Sequence, residues 1–229
     1  VYISDIKLVG IKRRKNHMDN MEYFKRGTVI SISHAIMNEP VLTVIQKTEG
    51  DNLYFKLPIE FLKSNVFKGD LINAQVFGDE YELVLYGMIS DIGLQYPNYV
   101  QICVDKIDKY KNKREFRRYM VNMMANIMLL KNDYKIYSVI KNIGFNGAGI
   151  VLKDSIDEND GKKLRIIAQT GEKDYLEFYG EIIRSEAKGL YYEYGLKIVS
   201  LDEINKNTLD KLIYKLDKDE SIYVKESLK

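Results

Sequence analysis

From Lys25 onward the chain falls into short runs that alternate apolar and polar residues with a period of two. They are rich in Val, Ile, Tyr and Phe, and turn signals separate them. The first series reads GTVISIS, PVLTVIQ, NLYFKLP, LINAQVF, YELVLYGMIS and NYVQICVDKI. Its breaks are Asn38-Glu39-Pro40, Glu49-Gly50-Asp51-Asn52, Lys68-Gly69-Asp70, Gly78-Asp79 and Tyr96-Pro97-Asn98. Strands this short at near-regular spacing predict a small antiparallel barrel. IEFLKSNVF, between the third run and the fourth, predicts a short helix or crossover.

A charged stretch, Lys106 to Arg118, precedes a second series: YMVNMMANIMLL, YKIYSVIKNIG, AGIVLKD, KLRIIAQT, YLEFYGEIIR and YYEYGLKIVSL. Leu201, Ile204, Leu209, Leu212, Ile213 and Leu216 then recur at helical spacing, behind a candidate capping box of Ser200 and Glu203. That face predicts a helix packed on the second barrel. The closing DKDESIYVKESLK is too polar for the pattern to place. The predicted fold is mainly β: two small antiparallel barrels and a C-terminal α-helix, with domains over residues 1–108 and 109–229. The halves echo each other weakly, since a Tyr-Gly pair leads a late strand in each.

Composition narrows the function classes. Of 229 residues, 45% are apolar and 30% charged, with 35 Lys+Arg against 33 Asp+Glu. So balanced a charge gives no reason to expect bulk affinity for DNA, RNA or an anionic membrane, and any anion site is local. No strand offers paired exposed aromatics with flanking basics, which disfavours an oligonucleotide-binding barrel. The basic cluster Lys12, Arg13, Arg14, Lys15 reads as a solvated arm or strand end. Cys103 is the single cysteine and lies in a strand-like run, which predicts a buried structural thiol and a reducing, cytoplasmic compartment. No apolar run reaches the roughly 20 residues of a membrane span, and no signal-peptide core is evident.

Catalytic chemistry finds little purchase. His17 and His34 have no partner at ligand or triad spacing, and neither a P-loop nor G-x-G-x-x-G occurs. The expectation is a binding module with no cofactor, no metal and no enzymatic activity.

Lys111 to Met120, KNKREFRRYM, is where charge concentrates: six of its ten residues are charged and five are basic. Arg114 and Arg118 are spaced i, i+4. Downstream, a strand ends in the glycine-bearing turn I-K-N-I-G-F-N-G-A-G-I, Ile140 to Ile150. Tyr179-Gly180-Glu181-Ile182-Ile183-Arg184 and Tyr192-Glu193-Tyr194-Gly195-Leu196-Lys197-Ile198 follow, then the helix. In this order the residues resemble the PilZ domain, a bacterial receptor module for cyclic di-GMP. Its signature is R-x-x-x-R, then [DN]-x-S-x-x-G, a G-x-[VI]-[VI]-R strand and a strand ending G-[LV]-x-[FI]. Arg114 and Arg118 match the first element, Asn142 and Gly147 the second, and Gly180, Arg184, Gly195 and Leu196 the others. The resemblance covers about residues 109 to 216. Upstream, Leu57-Pro58, Lys68-Gly69-Asp70 and the strand to Val104 resemble the split barrel preceding PilZ in flagellar-brake proteins of the YcgR type. One departure stands out: the family's serine falls at Gly144.

The resemblance implies that Arg114, Arg118, Asn142, Gly144, Gly147 and Arg184 bind cyclic di-GMP. The chemistry suits the residues, because guanidinium forks pair with phosphate or guanine and stack on purines. An Asx amide offers both a donor and an acceptor to a base edge. Glycine at 144 removes one potential hydroxyl bond, worth about 0.5–1.5 kcal/mol. The implied function is a receptor that changes its interdomain arrangement on binding and regulates motility or surface behaviour through a protein partner. The flagellar motor or switch, at the basal body, and exopolysaccharide machinery are the partners the resemblance implies. The alternative is a degenerate PilZ protein that has lost the nucleotide and acts as an adaptor. Lys113, Arg117 and Arg165 are candidate helpers.

Overall fold

The six strands of the first series pair antiparallel and close on themselves. They are β1 (Val29–His34), β2 (Val41–Glu49), β3 (Asn52–Lys56), β4 (Leu71–Phe77), β5 (Tyr81–Gly93) and β6 (Tyr99–Lys111), in the order β1-β2-β3-β6-β5-β4. The computed structural model describes residues 20–37, 39–78, 80–95, 98–129, 134–156 and 163–229. The basic cluster Lys12–Lys15 and His17 lie outside the described residues. Two compact units emerge: Val1–Lys113 with Ser221–Lys229, and Arg114–Glu220.

Period-two alternation is what makes the first barrel close. On β4 every second residue is buried (Ile72, Ala74, Val76), and on β5 Leu83, Leu85 and Ile89 follow suit. Phe24, Phe55 and Phe61 fill the interior, each worth about 1.5–3 kcal/mol on burial. Phe61 comes from the short helix α1 (Ile59–Lys63) and meets Phe55 edge-on at 6.4 Å between centroids. The Lys68-Gly69-Asp70 turn forms because Gly69 adopts φ +96°, a conformation glycine reaches without a Cβ penalty. Asp70 accepts from the Phe67 N–H at 2.8 Å and lies 3.2 Å from His34 Nε2. The other imidazole nitrogen of His34 accepts from the Ile36 N–H. His34 therefore fastens a turn to a strand end. Cys103 is half-buried rather than buried, and burial raises its pKa, which keeps it a protonated thiol. Strand β6 continues to Lys111, so only Asn112 to Arg118 of the charged stretch lacks regular structure.

The second series behaves the same way. Strands β7 (Tyr119–Leu129), β8 (Lys135–Gly144), β9 (Gly147–Leu152), β10 (Lys163–Gln169), β11 (Tyr175–Lys188) and β12 (Tyr191–Ser200) close in the order β7-β8-β9-β12-β11-β10. Helix α2 (Glu203–Ser227) packs Leu209 and Ile213 into this core, with Leu201, Leu212 and Leu216 partly covered. Two expectations change here. The cap is Asp202 and not Ser200, because Asp202 Oδ1 accepts from the Asn205 N–H at 2.7 Å. Ile204 is 77% exposed, on the solvent side of the first turn. The polar tail is helical as far as Ser227, and from Ser221 on it belongs with the first unit. There Tyr223 donates to the Leu42 carbonyl and Gln46 to that of Ser227.

The two barrels are copies in register as well as in strand order. β2–β3 shifts between Ile45 and Lys47, and β8–β9 between Ile140 and Asn142. β5–β6 shifts at Tyr86/Gly87 and Ile89/Asp91, and β11–β12 at Tyr179/Gly180 and Ile182/Arg184. Glu49 pairs with Asn52 across one hairpin, as Gly144 pairs with Gly147 across the other. The Val104 N–H bonds the Asp51 carbonyl at 2.9 Å, and the Ile198 N–H bonds that of Asn146 at 3.0 Å. The Tyr-Gly echo in the sequence marks one and the same bulge in both copies.

Candidate functional site

Four paired positions run across the outside of the second barrel. Asn142 on β8 pairs with Gly149 on β9, Gly149 with Gly195 on β12, and Gly195 with Arg184 on β11. Residues opposed in a ladder project to one face. The next row, Ile143, Ala148 and Leu196, is buried in the core, so the first row faces out. Two of its four members have no side chain. The result is a bare strip of backbone with an amide at one side and a guanidinium at the other. Asn142 lies over Gly149, where any Cβ would collide with its Nδ2. At Gly195 a Cβ would sit 3.6 Å from Arg184 Nε.

Gly144 and Gly147 extend the strip by a second row, which ends at Lys197 on β12. Arg118 is laid across it. A Cβ at Gly147 would fall 2.5 Å from Arg118 Nη2 and 2.7 Å from the Leu196 carbonyl oxygen. Arg118 Nη1 reaches Asn142 Oδ1 at 3.4 Å, a long hydrogen bond. Burial first, then the charges of Arg114 and Arg184, pulls the Arg118 guanidinium below its ordinary pKa. With Arg114 and Arg184 near enough to act on Arg118, the strip carries a cluster of like charge. A doubly anionic ligand relieves that repulsion, and each charged hydrogen bond it accepts adds about 1.5–3 kcal/mol.

Of the expected site residues, Arg118, Asn142, Gly144, Gly147 and Arg184 line this strip, and the charge of Arg114 is felt there. Gly144 acquires a steric reason. A Cβ there would fall 2.5 Å from the Arg117 carbonyl oxygen and 3.2 Å from Arg118 Cγ. The arginine segment passes so close that a larger residue would have to push it away.

The expected helpers sit elsewhere. Arg117 turns to helix α2, paired with Glu220 and 3.7 Å from Asp217, with its guanidinium 4.9 Å over the Tyr119 ring. Tyr119 donates to Asp217 at 3.0 Å. Arg165 makes two bonds to Glu177, at 2.6 and 2.9 Å. Lys113 falls in the first unit. Missing from the expected set were Gly149 and Gly195, which make the floor. Gly147-Ala148-Gly149 held a signal for one of them, since i and i+2 share a strand face.

The first barrel supplies an internal comparison. Its equivalent row is Lys47, Tyr54, Gln101 and Asp91, and its equivalent hairpin pair is Glu49 and Asn52. Side chains fill what the second barrel leaves bare. Gln101 Nε2 donates to Asn52 Oδ1 at 3.0 Å, and the Tyr54 and Tyr99 rings stand 5.8 Å apart. Among the described residues no group of three or more His, Cys, Asp or Glu could hold a metal, and no helix is long and apolar enough to cross a membrane.

Comparison with known proteins adds the family. Bacillus subtilis inhibitor of motility (MotI/DgrA) is 15% identical over 85% of this chain and 98% of its own, with a TM-score of 0.41. Escherichia coli YcgR in complex with c-di-GMP is 10% identical over 96% and 94%, with a TM-score of 0.46. The K. pneumonia MrkH–c-di-GMP complex is 10% identical over 93% and 95%, with a TM-score of 0.49. No curated protein matches the chain. The sequence itself matches the family model of the PilZ domain over residues 112–215, the span that holds the arginine segment, the glycine strip and Arg184. The second barrel is thus the part of the chain that matches the PilZ domain.

Proposed function

We propose that this chain is a receptor for cyclic di-GMP, with its site on the outer face of the second barrel. The observation that carries the reading is the convergence of Arg114, Arg118 and Arg184 around a glycine strip that the first barrel, in the same register, fills with side chains. The glycine floor lets Arg118 and Asn142 lie close against the backbone, and the guanidinium groups gathered there suit two phosphates and guanine O6 and N7. The neighbouring structures that contain c-di-GMP accord with this ligand. The adaptor alternative drew on the missing serine hydroxyl, and the close passage of Arg117 gives Gly144 a different reason.

Both motif arginines lie in the irregular segment 112–118 that follows the first barrel. Ligand capture would gather that segment and so alter the link between the two barrels, which a protein partner of motility or surface machinery would read. The ligand must bind the two arrangements with different affinity for this to work. The chain acts as a receptor and not as a catalyst. Calorimetric titration of the full chain with cyclic di-GMP, with cyclic di-AMP and GTP in parallel, tests the reading. Saturable heat with cyclic di-GMP alone supports it, and no heat at about 100 μM ligand overturns it.

A further inference from the structure

Phe116 lies midway between Arg114 and Arg118, and Phe145 occupies the tip of the hairpin between Gly144 and Gly147. Their ring centroids are 5.6 Å apart with planes at 70°. Both stay substantially open to solvent, at 39% and 40% exposure. The equivalent hairpin tip in the first barrel carries Gly50 where the second has Phe145. A phenyl ring has no polar group to reward exposure, so a surface pair at a hairpin tip forgoes burial energy. Edge-to-face contact leaves each ring at least one flat face that its partner does not cover, on a residue set between the two motif arginines in the case of Phe116. Cations flanked by such a face suit a phosphate joined to an aromatic base.

We propose that Phe116, propped by Phe145, is a stacking face for one purine of the bound cyclic dinucleotide. The inference rests on the receptor reading and adds to it a contact that selects the base through its ring.

Two substitutions in the full chain separate stacking from plain apolar packing. Leucine keeps apolar bulk without a π-face, whereas tryptophan keeps and enlarges the face. The chain contains no tryptophan, so Phe116→Trp also places a single indole reporter in the site. The expected result is that Phe116→Leu weakens cyclic di-GMP binding at least about fivefold, the lower end for losing one stacked base. Phe116→Trp retains affinity, and its emission changes along the calorimetric binding curve. Less than a fivefold loss in Phe116→Leu, or unchanged indole emission at saturating ligand, overturns the inference. Thermal melting checks that Phe116→Leu is folded; if it is not, the emission result alone decides. A failure of the unmodified chain to bind sinks the receptor reading and this inference together, whereas binding by the chain with no effect at Phe116 sinks only the inference.

Discussion

Arg118 lies so closely over Gly147 that a methyl group there would sit 2.5 Å from its Nη2, and the same guanidinium reaches the Asn142 amide. This one relationship brings the arginine motif and the hairpin motif into a single site. Arg118→Ala removes the cation in direct contact with the strip and leaves the hydrophobic core alone. Its affinity for cyclic di-GMP falls at least about tenfold, the loss expected for a charged hydrogen bond of about 1.5–3 kcal/mol. Neither arginine nor a phosphodiester titrates near neutrality, so wild-type affinity stays flat between about pH 6 and pH 8. Titrations at several pH values check both statements.

Restoring the family's serine harms this chain. The Cβ of Gly144→Ser would fall 2.5 Å from a backbone oxygen, which cannot swing aside as a side chain can. Either β8 or the arginine segment must shift, at a cost of about 1–3 kcal/mol. Thermal melting shows a lower Tm for Gly144→Ser, and calorimetry shows no gain in affinity.

The matched registers furnish a built-in control. Asn142 and Arg184 occupy the places that Lys47 and Asp91 hold in the first barrel. Asn142→Ala and Arg184→Ala each weaken cyclic di-GMP binding about fivefold or more, on the scale of a lost hydrogen bond of about 1 kcal/mol. Lys47→Ala and Asp91→Ala leave it unchanged. Parallel titrations of the four variants test the assignment of the site to one barrel.

Asp202 gives a prediction for stability against pH. Hydrogen bonds from the Asn205 backbone and side chain hold its carboxyl below the usual aspartate range. A depressed folded pKa means that the contribution is full above the unfolded value and is lost as pH falls through the folded one. Asp202→Ala therefore melts below wild type at pH 7, and the gap narrows as the solution is made acidic. Melting curves across the acid range measure it.

Much of this was legible in the chain because each signal was local. Alternation exposed all twelve strands, since a barrel buries one face of each, as in Ile72-x-Ala74-x-Val76 on β4. The motif arginines and Asn142 were legible through their resemblance to the PilZ signature, whose elements they follow in order and spacing. What escaped was set by pairing. Gly149 and Gly195 form a floor only because bulges at Ile140/Asn142 and Ile182/Arg184 bring them into one row, and no single strand records that register. Gly144 read as a lost hydroxyl because the passage of the Arg117 carbonyl is a tertiary fact. The tail beyond Leu216 carries too few apolar residues to announce a helix, and it acquires its partners, such as Leu42 and Gln46, only after folding.

The central claim is that the arginine segment and the glycine strip together hold cyclic di-GMP. The most direct measurement is calorimetry of the full chain beside its Arg114→Ala/Arg118→Ala double variant. The account predicts saturable binding by the wild type and no detectable heat from the variant at about 100 μM ligand, with both proteins melting as folded domains. Equal binding by the two proteins, or none by the wild type, would contradict it.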